Sequence, residues 1–139
     1  AWKGQAANVP AAQAALARLS ARLPLAALTN GNADLARIGI QEHFQVFVSA
    51  RDHGQAKPET PIFHATCERL GVAPADVLHI GDDPMMDVVG AQRAGMPSCW
   101  INRRKERWPA GLPRPDLEFA TLADLADWLD RTHPAPEPR

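Results

Sequence analysis

The chain has 139 residues, 45% of them hydrophobic and 22% charged, with a formal net charge of -1, a size and balance suited to one globular domain with its own core. Near-neutrality argues against nucleic acid or an anionic membrane surface as the main partner, and for a small molecule. Cys67 and Cys99 stand in apolar surroundings without metal-ligand spacing, no apolar run approaches the ~18 residues that span a bilayer, and no signal peptide opens the chain, so a reducing cytoplasmic setting is expected.

The chain starts at Ala1 rather than methionine, and AWKGQAANV reads as the remnant of a cap or linker, residues 1–9, at a processed or truncated start. From Pro10 to Leu23, PAAQAALARLSARL places Leu16, Leu19 and Leu23 on one helical face, with Pro10 fit for a first turn. PLAALT then runs into NGN, the pattern of a buried central strand over 24–29 ending in a turn. A short helix in ADLARIGI and a second strand over 45–50, QVFVSA, follow. The loop RDHGQAKPE leads to a helix from Pro61 to Leu70, capped by Thr60 and stopped by Gly71. VLHIG, 77–81, is a third buried strand, and DDP opens a helix that packs Val88, Val89 and Ala91 to Ala94 before Gly95 ends it. PSCWI, 97–101, supplies a fourth strand and DLEFA a fifth. A capping-box start at TLAD begins a last helix, which carries Leu122, Leu125 and Leu129 on one face as far as Asp130. The tail, 132–139, lacks core-forming residues and is expected to be disordered. Strand and helix alternate, which predicts an α/β fold over residues 10–131: a three-layer, Rossmann-like parallel sheet with helices on both faces.

In such sheets ligands gather beyond the carboxyl ends of the strands, and the residues found there are chemically unusual. Thr29 and Asn30 close the first strand, Lys57 lies in the loop after the second, and Asp82 with Asp83 closes the third. Asp87 falls near the first turn of the following helix, where side chains point back toward the N-terminus and so toward Asp82. Clustered carboxylates call for a compensating cation, and hard oxygen ligands suit Mg2+. A lysine, a threonine hydroxyl and free backbone N–H groups are a donor set for a phosphoryl group.

LAALTNGN, GQAKPETPIF and VLHIGDDPMMDVVGAQRAGM resemble the second, third and fourth motifs of the haloacid dehalogenase superfamily, in the right order and on the right elements, over residues 10–102. The wording of TNGN, HGQAKP and LHIGDDPMMD is most similar to the branch holding flavin-mononucleotide and ribityl-pyrimidine phosphatases. The resemblance implies that Thr29 bonds the phosphoryl oxygen with help from the Asn30 N–H, and that Lys57 neutralises the phosphate and an aspartyl nucleophile. Asp82 would bind Mg2+ directly. Asp87 would bind it through water or orient Lys57 and the surroundings of the metal. Asp83 replaces a small polar residue of the family and is free to cap the helix that begins at Pro84. The implied activity is a magnesium-dependent phosphomonoesterase acting on a small phosphorylated metabolite through an aspartyl-phosphate.

The departure is at the start. Relatives attack with the first aspartate of a DxD motif on the first strand and protonate the leaving group with the second, whereas here the first aspartate, Asp34, and the first glutamate, Glu42, both follow Thr29. The nucleophile is therefore expected from a missing upstream segment, the chain alone is expected to be inactive, and the absent strand is expected to leave an open edge within the sheet. A signalling receiver domain uses similar residues but in the order acids, threonine, lysine, whereas here the order is threonine, lysine, acids. A silent phosphate- or partner-binding domain of the same fold is the remaining alternative. Other polar residues have plainer readings. His79 is a packed, hydrogen-bonded core histidine; His43, His53, His64 and His133 show no metal spacing; Trp100 belongs to the core, with a strand-end position that allows contact with a substrate ring; and RRKER, 103–107, is a solvated loop able to attract an anion.

Overall fold

The computed structural model describes residues 9–29, 43–49 and 60–133. Helix α1 spans Val9–Ser20, strand β1 Ala26–Thr29 and strand β2 Val46–Ser49. Helix α2 spans Thr60–Leu70 and ends at Gly71, whose φ of +75° is the left-handed stop that the sequence called for. A single 3-10 turn, Pro74–Asp76, leads to β3, His79–Gly81. A widened, π-helical turn, Pro84–Val89, then runs into the short helix α3, Gly90–Arg93, and Gly95 at φ +83° stops it. Strands β4, Ser98–Ile101, and β5, Leu117–Phe119, precede helix α4, Leu122–Thr132. As expected, Thr121 caps α4, its hydroxyl accepting from the Asp124 N–H at 3.1 Å.

The ends of the first and last helices shift from those expected. Helix α1 stops at Ser20, and Leu23 is 49% exposed rather than sharing the buried face of Leu16 and Leu19. Pro24 disfavours helical geometry in the residue before it, so the chain leaves in a tight turn closed by the Arg22 and Leu23 N–H groups on the Leu19 carbonyl. At the other end, helix α4 runs on to Thr132. The expected helix in ADLARIGI and the rest of the tail, 134–139, lie outside the described residues.

All the strand pairings are parallel, as expected, and among the described residues they fall into two groups. β1 pairs with β2, Ala26 opposite Val46 and Thr29 opposite Ser49, while β3, β4 and β5 lie in that order, with His79 opposite Ser98 and Cys99 opposite Leu117. No described strand joins β1 to β3. The helical layers join them instead. On one face, Leu28, Val46 and Val48 pack with Ile62, Phe63 and Cys67 of α2 and with Ala91, Ala94 and Met96, and Phe63 also meets His79 of β3 edge-on at 5.0 Å. On the other face, Leu16 packs with Leu25, Ala27 and Phe47, and Leu122 belongs both to that cluster and to the one holding Leu78, Ile80, Leu117 and Leu125. Period-two alternation thus sends successive residues of β1, β2 and β3 to the same two layers. Arg18 adds a surface clasp between α1 and α4, pairing with Asp127 at 2.8 Å and Asp130 at 2.6 Å, and such exposed pairs stabilise only modestly. Among the described residues no helix is long and apolar enough to cross a membrane.

Candidate active site

Thr29 ends β1 with its backbone in register with Ser49. The Thr29 side chain, Asn30 and Lys57 lie outside the described residues. The acidic strand end is described in full and is built on β3.

Gly81 is the last residue of β3 and Asp82 the first beyond it, exposed to solvent. Asp83 takes the extended conformation of an N-cap, and its carboxylate accepts from the Met85 N–H at 3.0 Å and the Met86 N–H at 2.8 Å. It is the cap that the sequence suggested. The turn that follows is wider than an α-helical one, because the Val88 N–H reaches back five residues to the Asp83 carbonyl and the Gly90 N–H five residues to Met85. Insertions of this kind recur at functional sites, since they re-aim one side chain without ending the helix.

The side chain re-aimed here is Asp87, only 1% exposed. His79 Nε2–H donates to Asp87 Oδ1 at 3.0 Å, and the Asp83 N–H donates to Oδ2 at 3.1 Å. A carboxylate this deeply buried is tolerable only with such partners. It also lies flat on the backbone of Gly81, where an added Cβ would fall 2.1 Å from Asp87 Cγ. Glycine is therefore the residue that leaves room for Asp87. On the opposite side of the same peptide, Trp100 Nε1–H donates to the Asp82 carbonyl at 2.9 Å. Trp100 is 2% exposed and packs edge-on against Trp108 at 4.8 Å.

Asp87 thus turns under the Asp82–Asp83 peptide. Among the described residues no three His, Cys, Asp or Glu side chains are grouped to hold a metal. The donor chemistry still fits a hard cation, because Asp82 offers an exposed carboxylate, and Mg2+ takes one or two carboxylates and completes its shell with water and phosphate oxygens.

Sequence reasoning placed His79 in the core with a hydrogen bond but named no partner, and it missed Gly81 and the donor role of Trp100. The eight-residue step from His79 to Asp87 spans a strand and a turn, so no helix or strand periodicity signals it. His64 is a structural residue, its Nε2 facing the Ala94 carbonyl at 3.0 Å. Cys67 and Cys99 are buried, and burial pushes the Cys99 thiol up to about 12. The RRKER loop is exposed, and Asn102 organises it by accepting from the Glu106 N–H and donating to the Glu106 carbonyl, both at 2.8 Å. An open pocket of about 450 Å³ beside it is lined by Arg107 and Arg114 but also by Glu106 and Glu118, a mixed charge with no marked preference for an anion.

Comparison with known proteins identifies the family. The sequence pattern of the haloacid dehalogenase-like hydrolases matches residues 3–95. The 5-amino-6-(5-phospho-D-ribitylamino)uracil phosphatase YigB of Escherichia coli is 36% identical over 118 residues, which are 82% of this chain and 49% of that protein. The 2-haloacid dehalogenase of Pseudomonas syringae superposes with a TM-score of 0.82 at 36% identity, over 88% of this chain and 53% of that one. The magnesium-bound putative hydrolase YfnB of Bacillus subtilis does so with a TM-score of 0.80 at 26% identity, over 87% of this chain and 55% of that one. The chain spans about half the length of the curated relatives it matches. The ordered motifs, the parallel strands between two helical layers and these likenesses lead to one conclusion: the chain belongs to the haloacid dehalogenase-like hydrolase family.

Proposed function

We propose that the protein of which this chain forms part is a magnesium-dependent phosphomonoesterase acting on a small phosphorylated metabolite through an aspartyl-phosphate. The observation that carries this reading is the end of β3, where an exposed Asp82 carboxylate leaves a peptide held from both sides by buried partners, Trp100 and Asp87. Held rigidly at the strand end, a carboxylate is suited to fixing a cation. The phosphatase activity of the YigB relative supports the reaction class, and the magnesium bound to YfnB in its crystal structure supports the cation.

In this reading the Thr29 hydroxyl and the Asn30 N–H donate to the phosphoryl oxygens, and the Lys57 ammonium neutralises their charge. Asp82 holds Mg2+, which when bound neutralises charge on the phosphate. Asp87 takes the orienting role. A carboxylate from a segment upstream of Thr29 in the intact protein attacks phosphorus, the ester P–O bond breaks, and a second upstream carboxylic acid protonates the departing alkoxide. Water then attacks phosphorus of the acyl phosphate, releasing inorganic phosphate and restoring the carboxylate.

To test this, the intact protein would be quenched in acid during turnover of a generic aryl phosphate with Mg2+ and mapped by mass spectrometry. A hydroxylamine-labile phosphoryl group on an aspartate upstream of Thr29 is expected. Turnover with no such adduct would remove the aspartyl-phosphate. Metal-independent release of halide from a 2-haloacid would favour instead the chemistry of the Pseudomonas syringae relative.

A further inference from the structure

The peptide between Asp82 and Asp83 is bonded at both of its polar atoms by side chains from elsewhere in the fold. Its carbonyl accepts from Trp100 Nε1–H at 2.9 Å, and its N–H donates to Asp87 Oδ2 at 3.1 Å. Each of the two side chains is itself held. Asp87 receives His79 Nε2–H at 3.0 Å and lies against Gly81, and His79 is wedged edge-on against Phe63, which is fully buried. Trp100 is 2% exposed on β4 and is braced by Trp108. Three elements, β3, the widened turn and β4, thus converge on one peptide plane, the one from which the Asp82 side chain departs.

We infer that His79 and Trp100 are positioning residues that fix the direction of the Asp82 carboxylate toward its cation, His79 acting through Asp87 and Trp100 directly on the Asp82 carbonyl. The inference rests on the reading of Asp82 as a Mg2+ ligand. Two features favour positioning over simple packing. A core needing only bulk at residue 79 would be filled by an apolar side chain at no polar cost, whereas here a buried carboxylate and a buried imidazole are kept together, an arrangement that is stabilising only when every partner is in place. Both polar chains also end on the same peptide rather than on scattered backbone groups. Partners that orient a metal-binding carboxylate change metal affinity by about 10–100-fold when removed, although they never touch the metal.

The test is Mg2+ affinity of the intact protein, measured by calorimetric titration with MgCl2 alongside thermal unfolding in Mg2+-free buffer. His79→Phe keeps the ring and removes the donor, Trp100→Phe removes the indole N–H, and His79→Gln restores an N–H donor. We expect both Phe variants to weaken Mg2+ binding by about tenfold or more, and His79→Gln to recover most of the loss. Lower unfolding temperatures with unchanged Mg2+ affinity in both Phe variants would make the two residues merely structural and overturn the inference. Should His79→Phe fail to fold, Trp100→Phe decides alone. Asp82→Asn separates the cation site from its positioning: if it leaves Mg2+ affinity intact, the cation site itself is misassigned and this inference falls with it. If it abolishes binding while the Phe variants bind normally, only the positioning role fails.

Discussion

Replacing Gly81 by alanine is a sharp perturbation of the strand end, because the backbone leaves so little room there. The new Cβ would stand 2.1 Å from Asp87 Cγ, 2.3 Å from Oδ2 and 2.5 Å from Cβ, inside any tolerable contact. Asp87 can withdraw only by leaving His79 and the Asp83 N–H. Overpacking a core costs about 1–3 kcal/mol, and breaking a hydrogen bond to a buried charged group adds about 1.5–3 kcal/mol. A loss of roughly 2.5–6 kcal/mol follows for Gly81→Ala, a large share of the ~5–15 kcal/mol that holds a typical domain. Gly111→Ala is the control, since Gly111 has φ +86° and no atom within 4 Å of an added Cβ; it carries only the conformational penalty of about 1–2 kcal/mol. Urea unfolding of the intact protein, followed by tryptophan fluorescence, compares the two. Adding Asp87→Ala to Gly81→Ala removes the carboxylate that causes the clash, so the double variant should lose clearly less than the sum of the singles. If Gly81→Ala were no more destabilising than Gly111→Ala, Asp87 would not rest on this backbone, and the strand end would be packed differently.

Other variants probe the site and the core. Asp82→Asn in the intact protein should weaken Mg2+ binding and lower turnover together, read by titration and by phosphate release. Lys57→Ala should lower turnover by about 100-fold or more while leaving the unfolding temperature near that of the wild type; normal rates would place the phosphate elsewhere. The Cys99 thiol ionises at about 12 in the folded chain against an ordinary 9.0, so above pH 9 the unfolded state releases a proton that the folded state retains. Stability should therefore fall as pH rises through that window, and Cys99→Ala should flatten the fall, as measured by urea midpoints from pH 8 upward. Alkylation of Cys67 and Cys99 by iodoacetamide should be slow in the folded protein and complete in denaturant, because both are buried.

Much of this architecture is legible in the sequence because local rules decide it. Gly71 and Gly95 mark helix ends through their left-handed conformation, Thr121 caps α4, and Asp83 caps the turn at Pro84. The apolar runs in PLAALT and QVFVSA assign Leu28, Val46 and Val48 to the core. The polar residues at strand ends point to the site because parallel α/β sheets bind ligands there. What the sequence hides is set by tertiary contact. The His79–Asp87 pair needs the widened turn, whose extra residue no periodicity reveals, and the bond from Trp100 to the Asp82 carbonyl depends on β3 and β4 lying side by side. Leu23 joins the expected helical face on paper and leaves it in the fold because Pro24 overrides the pattern. The grouping of the strands is likewise hidden, since the pattern of apolar runs predicts strands but not which of them are neighbours.

The proposed function assigns cation binding and phosphate binding to residues of this chain and the nucleophile to a segment upstream of it. It is tested most directly by assaying the 139-residue chain and the protein extended upstream of Ala1 against the same panel of phosphate monoesters, with and without Mg2+. Mg2+-dependent phosphate release is expected from the extended protein and none from the chain alone, because the proposed roles of Thr29, Lys57 and Asp82 are to stabilise an attack whose nucleophile is proposed to precede Thr29, and no aspartate or glutamate of this chain does. Comparable rates from both proteins would contradict it.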